Sequence, residues 1–395
     1  MSPRSALSKR IKRHIVGRDH RFFAATPPGF EKVCLRELLK HNPVSGKARA
    51  TPGGVEFEGR LEVCYHANLN LRSANRILMR IGTFKATHFR LYEKHLHGIP
   101  WELYLPINSL LKVSVTTKHC RLHHSGAIAE RFHKAINSCL SPFVTEQNLA
   151  EAPSVLQTVY VRGLDDRFTV SLDSSGDILY KRGLKKHTGS APLRETLAAA
   201  ALLLAGYDGR VPLIDPMCGT GTFSLEAALI SKNIPAGWFR DFAFTRWPSF
   251  LTKRWNYIRR QFERGFQRTA QPLILASDKD EAACRKLESC VQMNDLNDAV
   301  QVQQKDFFDL NAAEFTDRSG IICLNPPYGR RLGGRQESEK LFTAICDRLK
   351  QSYTGWQLVL FAPSRKMAGT VPFQTKKFPI LHGGLKRVLM VGKIK

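Results

Sequence analysis

A chain of 395 residues is long enough for two or three domains of ordinary size, each with its own core. Its 60 Lys and Arg against 34 Asp and Glu leave a formal charge of +26, a long-range field that gathers polyanions and points to nucleic acid. The longest apolar run, Leu197–Ala205, is far below the ~20 residues a bilayer span requires, so a soluble protein is expected and an anionic membrane is the weaker partner.

Residues 1–20 carry Arg4, Lys9, Arg10, Lys12, Arg13 and Arg18 with Asp19 the one opposing charge, which reads as a flexible basic arm, although a transit peptide shares that composition. Arg21–Ala25 has the pattern of a short strand closed by Pro27-Pro28-Gly29, and Glu31–His41 repeats apolar residues at helical spacing. Thr51-Pro52-Gly53-Gly54 turns the chain into the alternating Val55-Glu56-Phe57-Glu58, and Leu61–Met79 returns to a helical pattern. These elements predict an α+β unit over 21–75. A second unit over 76–180 is expected from the strand Leu111–Thr117, the amphipathic helix Ser125–Leu140 and the strands Thr158–Val161, Phe168–Leu172 and Asp177–Tyr180.

The composition changes near Lys185, and from Ala191 helix and strand alternate. Strands are expected at Val211–Ile214, Leu273–Ser277, Val300–Gln303 and Ile321–Leu324. Helices are expected at Glu195–Leu204, Phe223–Ser231, Asp280–Met293 and Glu339–Lys350. This is the signature of an α/β domain over 185–395, with a doubly wound, mostly parallel sheet whose ligands lie beyond the strand C-termini.

The first of these strands runs into Asp215-Pro216-Met217-Cys218-Gly219-Thr220-Gly221-Thr222 and then a helix, placing glycines where backbone approaches a ligand beside a positive helix end. A P-loop is excluded, since no Gly-Lys-Ser/Thr follows, and Ser224 occupies the third glycine of the dinucleotide fingerprint. The next two strands end in Asp278 and Asp306. An acid after the second strand suits a ribose diol, and Asp306 suits an adenine amino group, with Phe307 and Phe308 offering an apolar face. Each Asp could equally cap a helix.

The fourth strand ends in Asn325-Pro326-Pro327-Tyr328. An aromatic amine has its lone pair delocalised into the ring, so acceptors aimed at its two hydrogens draw the nitrogen toward a nucleophilic geometry. Asn325 Oδ1 and the Pro326 carbonyl are the candidate acceptors. Two prolines remove N–H donors and fix φ, and Tyr328 can stack on the base. The alternative is a plain proline turn at a strand end.

Taken together, DPMCGTGT, Asp278, Asp306 and NPPY resemble the class I S-adenosylmethionine-dependent methyltransferases that act on exocyclic amino groups. Tyr180-Lys181-Arg182-Gly183-Leu184 and Ala191–Ala200 are similar to the start of the catalytic domain in THUMP-domain RNA guanine-N2 methyltransferases. The resemblance implies a Rossmann-like class I domain with a C-terminal antiparallel strand, preceded by ferredoxin-like (21–75) and THUMP (76–180) RNA-binding modules. It implies S-adenosylmethionine as cofactor. Asp215, Gly219 and Gly221 would border its methionine part, with Pro216, Met217 and Thr222 also among its contacts, Asp278 would hold its ribose, and Asp306 and Phe307 its adenine. Arg194 and Thr196 would line the same pocket, and Asn325, Pro326, Pro327 and Tyr328 would hold the base. RNA is the implied partner, with N2-methylguanosine in 23S rRNA favoured over tRNA, no obligate protein partner and a cytoplasmic setting.

The segment Pro235–Arg268 is a long insertion that interleaves Trp238, Trp247, Trp255 and Tyr257 with Arg240, Arg259 and Arg260. It suits either an RNA path or a local core. Nine cysteines, an odd number with no CxxC spacing and no leader ahead of them, read as reduced thiols, with Cys218 and Cys323 as packing groups. His119-Cys120-Arg121-Leu122-His123-His124 suits exposed RNA contacts better than zinc, so no metal is expected. Arg330, Arg331, Arg335, Lys386 and Arg387 are candidate phosphate contacts or a solvated face. Rival readings are a DNA adenine methyltransferase, a protein glutamine methyltransferase and an RNA-binding protein with a vestigial pocket.

Overall fold

The computed structural model describes residues 3–41, 47–107, 109–144, 155–185, 193–327, 335–382 and 384–395. In the first half, one sheet is built from β1 (His20–Ala25), β2 (Arg49–Thr51), β3 (Gly54–Gly59), β4 (Arg76–Lys85), β5 (Ser109–Lys118), β6 (Val155–Leu164) and β7 (Arg167–Asp173). Their order is β2-β3-β1-β4-β7-β6-β5. β4 runs antiparallel to β1 on one side and to β7 on the other, so hydrogen bonds cross the seam between the two units read from the sequence. Alternation decides the faces. Phe22, Phe57, Met79, Val161, Phe168 and Val170 share one core with the helices Leu61–Asn70 and Ser125–Leu140. The opposite face carries Arg76, Lys112, Thr158 and Tyr160.

Three expectations are corrected here. The supposed flexible arm is helical over Pro3–Ile11 and continues as a π turn over Lys12–Val16. Ile11 and Ile15 are buried in the core, and Arg10 reaches Glu102 at 2.6 Å. The helical reading of 61–79 ends at Asn70, because buried Glu37 accepts hydrogen bonds from the Arg72 and Ser73 N–H groups at 2.5 and 3.1 Å. From Arg76 the chain is strand β4. Asp177–Tyr180 is not a strand. Arg240 donates to the carbonyls of Ser175, Asp177, Ile178 and Lys181 at 2.6–3.1 Å and holds the segment as a looped connection.

The second sheet contains β8 (Leu213–Asp215), β9 (Ile274–Asp278), β10 (Val300–Gln304), β11 (Ile321–Leu324), β12 (Gln357–Ala362), β13 (Thr375–His382) and β14 (Leu385–Lys393). The order is β10-β9-β8-β11-β12-β14-β13. β8 through β12 are parallel, and β14 returns antiparallel between β12 and β13. This is a Rossmann-like sheet whose winding reverses between β8 and β11, where such sheets open a crevice.

The insertion Pro235–Arg268 belongs to the first half's core. Phe242, Phe244, Trp247 and Trp255 are buried there, and Phe244 stacks on Tyr65 with centroids 4.6 Å apart. Its aromatics are therefore packing groups, with Tyr257 left half exposed at 48%. Arg259 lies 4.2 Å from the Trp238 ring centroid. The insertion joins the two halves, as do Gly237 N–H to the Leu69 carbonyl at 2.8 Å and Thr196 Oγ1 to Asn75 Oδ1 at 2.9 Å.

Candidate active site

The site grows from the reversal point. Ile321 and Ile322 pair with Leu213 and Ile214, and Asp215 pairs with Ala276, so Asp215, Asp278 and Asn325 emerge together at the C-terminal edge of adjacent strands. After β8 the loop turns through Gly219 at φ +51° and Gly221 at φ +71° into the helix Thr222–Ser231. The two glycines answer different needs. A Cβ on Gly221 would lie 2.2 Å from Leu287 Cδ1, so that glycine lets the loop sit against the helix Glu281–Met293. A Cβ on Gly219 would meet nothing within 4 Å, so Gly219 faces open space. Its N–H donates to Asp278 Oδ2 at 2.8 Å, while Asp280 N–H donates to Asp278 Oδ1 at 3.0 Å. Asp278 thus ties the glycine loop to β9.

Asp215 is 1% exposed and lies beneath the loop, where its Oδ2 accepts from Ser224 N–H and Oγ at 3.2 and 2.7 Å. Burial pushes its carboxyl up to about 7, against the pull of the Ser224 hydrogen bonds. A carboxyl whose folded value is raised contributes stability that is complete below its ordinary value near 3.8 and is lost as pH rises through about 7. Asp215→Asn is therefore expected to flatten the decline in melting temperature between pH 3.8 and about 7. A decline as steep as in the unaltered protein would show that Asp215 is not its source.

Asp306 follows β10, and its Oδ1 accepts from Phe308 N–H at 3.0 Å in a tight turn. Phe307 does not offer its ring to a ligand. It is 1% exposed and stacks toward Tyr353 at 6.2 Å, whereas Phe308 is 37% exposed. Thr196 is also withdrawn from any pocket, being fully buried with its hydroxyl on Asn75. Arg194 is exposed, with its guanidinium carbon 5.4 Å from the Tyr180 ring centroid. Asn325 and Pro327 are half-buried and Pro326 is buried at the end of the wholly buried β11. Among the described residues the Asn325 amide has no hydrogen-bond partner, so its acceptor oxygen is uncommitted. Tyr328, Arg330 and Arg331 lie outside the described residues, as do Ala191, Pro192 and the side chain of Arg335.

One residue escaped the sequence reading. Lys185 is 8% exposed, and its Nζ reaches Thr222 Oγ1 at 2.9 Å, Thr220 Oγ1 at 3.5 Å and the Glu195 carboxylate at 3.8 Å. It braces the glycine loop from the connection between the two halves. Nothing in a Lys-Lys pair announces this, because the loop is more than thirty positions away in sequence.

The cysteines are free, and burial raises Cys323 well above the usual thiol range. His123 and His124 have ring centroids 4.2 Å apart, yet among the described residues no cluster of His, Cys, Asp and Glu could hold a metal ion. Nor is any described helix long and apolar enough to cross a membrane.

Open space over Gly219, half-buried acids at two strand ends and an amide without a hydrogen-bond partner among the described residues fit a nucleoside-bearing cofactor. Residues 182–381 match the family described as "RMKL-like, methyltransferase domain", and residues 21–78 match the "RlmL ferredoxin-like domain". The chain is 31% identical over 377 residues to slr0064 of Synechocystis, whose naming as an RNA methyltransferase is provisional, covering 93% of this chain and 95% of that one. It is 29% identical over 382 residues to the ribosomal RNA large subunit methyltransferase K/L of Syntrophotalea carbinolica, where 92% of this chain spans 52% of the relative, about half its length. The fold superposes with TM-score 0.83 on SMU.472, a provisionally named methyltransferase solved with SAH, at 27% identity over 96% of this chain and 99% of the other. It superposes with TM-score 0.82 on a Listeria monocytogenes protein named, as a prediction, an N6-adenine-specific DNA methylase, at 28% identity over 95% and 96% of the two chains. With its class I methyltransferase sheet behind a ferredoxin-like domain, this chain belongs to the RMKL-like methyltransferase-domain family.

Proposed function

We propose that the protein uses S-adenosylmethionine to methylate the N2 amino group of guanine in large-subunit ribosomal RNA. The observation that carries this reading is Asn325-Pro326-Pro327 at the end of β11, with a partnerless amide among the described residues, beside the glycine loop at the winding reversal. Supporting it are the charge of +26 and the names of the K/L relatives and slr0064. Residues 76–180 act in this reading as a THUMP-like RNA-binding module.

When bound, S-adenosylmethionine supplies a methyl group already activated on a sulfonium, so in-line transfer depends on positioning and charge stabilisation rather than on a general base. Asn325 Oδ1 and the Pro326 carbonyl accept the two amino hydrogens of the base and turn the nitrogen lone pair toward the methyl carbon. The methyl group would come from the bound cofactor, leaving its sulfur as a neutral thioether, and the surplus amino proton of the base would leave to solvent. Pro326 and Pro327 offer no N–H to draw a competing acceptor, and Tyr328, which lies outside the described residues, is assigned in this reading to stacking on the base. Asp278 keeps lone pairs for the ribose diol beyond its two N–H donors, and Asp306 serves the adenine amino group. Asp215 holds the loop through Ser224.

The two glycines separate cofactor binding from folding. Gly219→Ala is expected to weaken S-adenosylmethionine binding at least about tenfold by calorimetry with a small change in melting temperature, since the methyl enters open space at a strain of order 1 kcal/mol. Gly221→Ala is expected to lower the melting temperature sharply, because the methyl overlaps Leu287. The reverse pattern would assign the open space to something other than the cofactor.

The reading is tested by transfer of labelled methyl from S-adenosylmethionine to total RNA from a strain lacking the gene, followed by nucleoside analysis. N2-methylguanosine in large-subunit rRNA is the expected product. Label in adenine or DNA would instead favour the chemistry for which the Listeria relative is named, and label in tRNA or protein would redirect the target.

A further inference from the structure

Between the two halves lies a cleft of about 1200 Å³, and its two walls are chemically alike. One wall is the helix-free face of the first sheet, contributing Lys112, Tyr160 and Arg76. The other comes from the connection and the second half, contributing Tyr180, Arg194 and Arg246. Eight basic residues line the cleft against four acidic ones, and three of those acids are already paired within it, Asp177 with Lys181 at 3.5 Å, Glu195 with Lys185 at 3.8 Å and Glu226 with Arg182 at 2.8 Å. Each wall presents a half-buried tyrosine ring beneath a guanidinium. Arg76 lies 5.5 Å from the Tyr160 centroid and Arg194 lies 5.4 Å from that of Tyr180.

From these observations we propose that the cleft is a path for single-stranded RNA, in which bases flanking the target nucleotide stack on Tyr160 and Tyr180 while Lys112, Arg194 and Arg246 hold phosphates. This rests on the reading of RNA as substrate and adds where and in what form the strand is held. A charged groove with aromatic platforms binds unpaired nucleotides, because every base has a face to stack and only an unpaired strand exposes it. A duplex offers its phosphates but not its base faces.

The walls are set before RNA arrives. Arg240 pins the 175–181 connection through four backbone carbonyls, and Arg76 is held by Asp173 and by the Gly176 carbonyl at 2.6 Å, so both rings are presented without reordering. The cleft also leads to the chemistry. Lys185 lines it and bonds the threonines on either side of Gly221, so a strand in the cleft runs toward the glycine loop.

The test uses the full chain and a fluorescein-labelled uridine dodecamer, alone and annealed to its complement, read by anisotropy across a salt series. The unaltered protein should bind the single strand more tightly than the duplex. Tyr160→Ala and Tyr180→Ala should each weaken the single strand about 5- to 100-fold and leave the duplex nearly unchanged. Lys112→Glu/Arg246→Glu should lower the salt slope by about 0.7 for each phosphate that is no longer neutralised, while Lys253→Glu on the insertion should leave the single-strand preference intact. S-adenosylmethionine binding, measured in the same variants, reports that each is folded. Single-strand affinity and salt slope unchanged in all the cleft variants would overturn the path while RNA methylation by the unaltered protein stands. An equal loss for strand and duplex would reduce the cleft to a general phosphate surface and overturn it likewise. Failure of the unaltered protein to methylate any RNA would instead sink the proposed function.

Discussion

Asn325→Ala is expected to reduce methyl transfer by at least about 10²-fold while leaving the affinities for RNA and S-adenosylmethionine close to those of the unaltered protein. The amide sits at the end of a fully buried strand with no competing partner among the described residues, so its removal creates no orphaned group and disturbs little packing. In the proposed role, the variant lacks an acceptor whose hold on the amine strengthens as the nitrogen pyramidalises, and interactions of that kind raise kcat rather than lower KM. Phosphate contacts generally dominate RNA affinity, and in the proposed cleft path they fall to Lys112, Arg194 and Arg246. Single-turnover transfer, with binding of each substrate measured separately, separates these effects. Asn325→Asp, which keeps an acceptor oxygen, should retain part of the rate. Equal losses of turnover and RNA affinity in the alanine variant would show that Asn325 grips RNA instead of aligning the amine.

The residues of this site differ in how far they could be read from sequence. The placement of Asn325 and the glycine loop at strand ends was legible because each follows a short apolar strand and breaks its periodicity with Pro or Gly. The helices Ser125–Leu140 and Glu195–Leu204 were legible for the complementary reason, an unbroken local pattern. Thr196 and Phe307 were not. Thr196 follows a residue that lines the cleft and Phe307 follows a strand-end acid, but whether such a side chain turns inward depends on what packs against it from afar, here Asn75 for one and Tyr353 for the other. The insertion failed the same way. Its Arg and Trp residues have the composition of a nucleic-acid path, yet Phe244 and Trp255 find Tyr65 across nearly two hundred positions and become core. The basic N-terminal segment has too little apolar content to announce a helix, and only the pocket that receives Ile11 and Ile15 orders it.

Glu226→Ala is expected to destabilise the molecule strongly, by about 3–5 kcal/mol. Glu226 is 1% exposed on the helix that follows the glycine loop, and it accepts from Arg182 Nε and Nη2 at 2.8 and 3.3 Å. Arg72 of the first half lies 4.0 Å away and donates to the Ile234 and Leu229 carbonyls of the second half at 2.5 and 3.2 Å. Arg182 closes the circuit with bonds to the Arg72 and Leu179 carbonyls at 2.6 and 2.9 Å. Truncating the carboxylate leaves two guanidiniums buried without their counter-charge, and the cost falls on the seam between halves rather than inside either core. Urea unfolding followed by the fluorescence of Trp238, Trp247 and Trp255, which report on the insertion that joins the halves, should therefore change from one transition to two. Replacing the charges together, Arg182→Met/Glu226→Met, should recover part of the loss, because a well-packed apolar pair avoids the desolvation cost of an unpaired ion. Since the proposed cofactor loop lies wholly in the second half and the proposed RNA cleft needs both halves, S-adenosylmethionine binding should outlast single-stranded RNA binding as denaturant is raised. Simultaneous loss of the two would mean that the halves fold and fail as one unit, with the ion cluster as one stabilising contact among many.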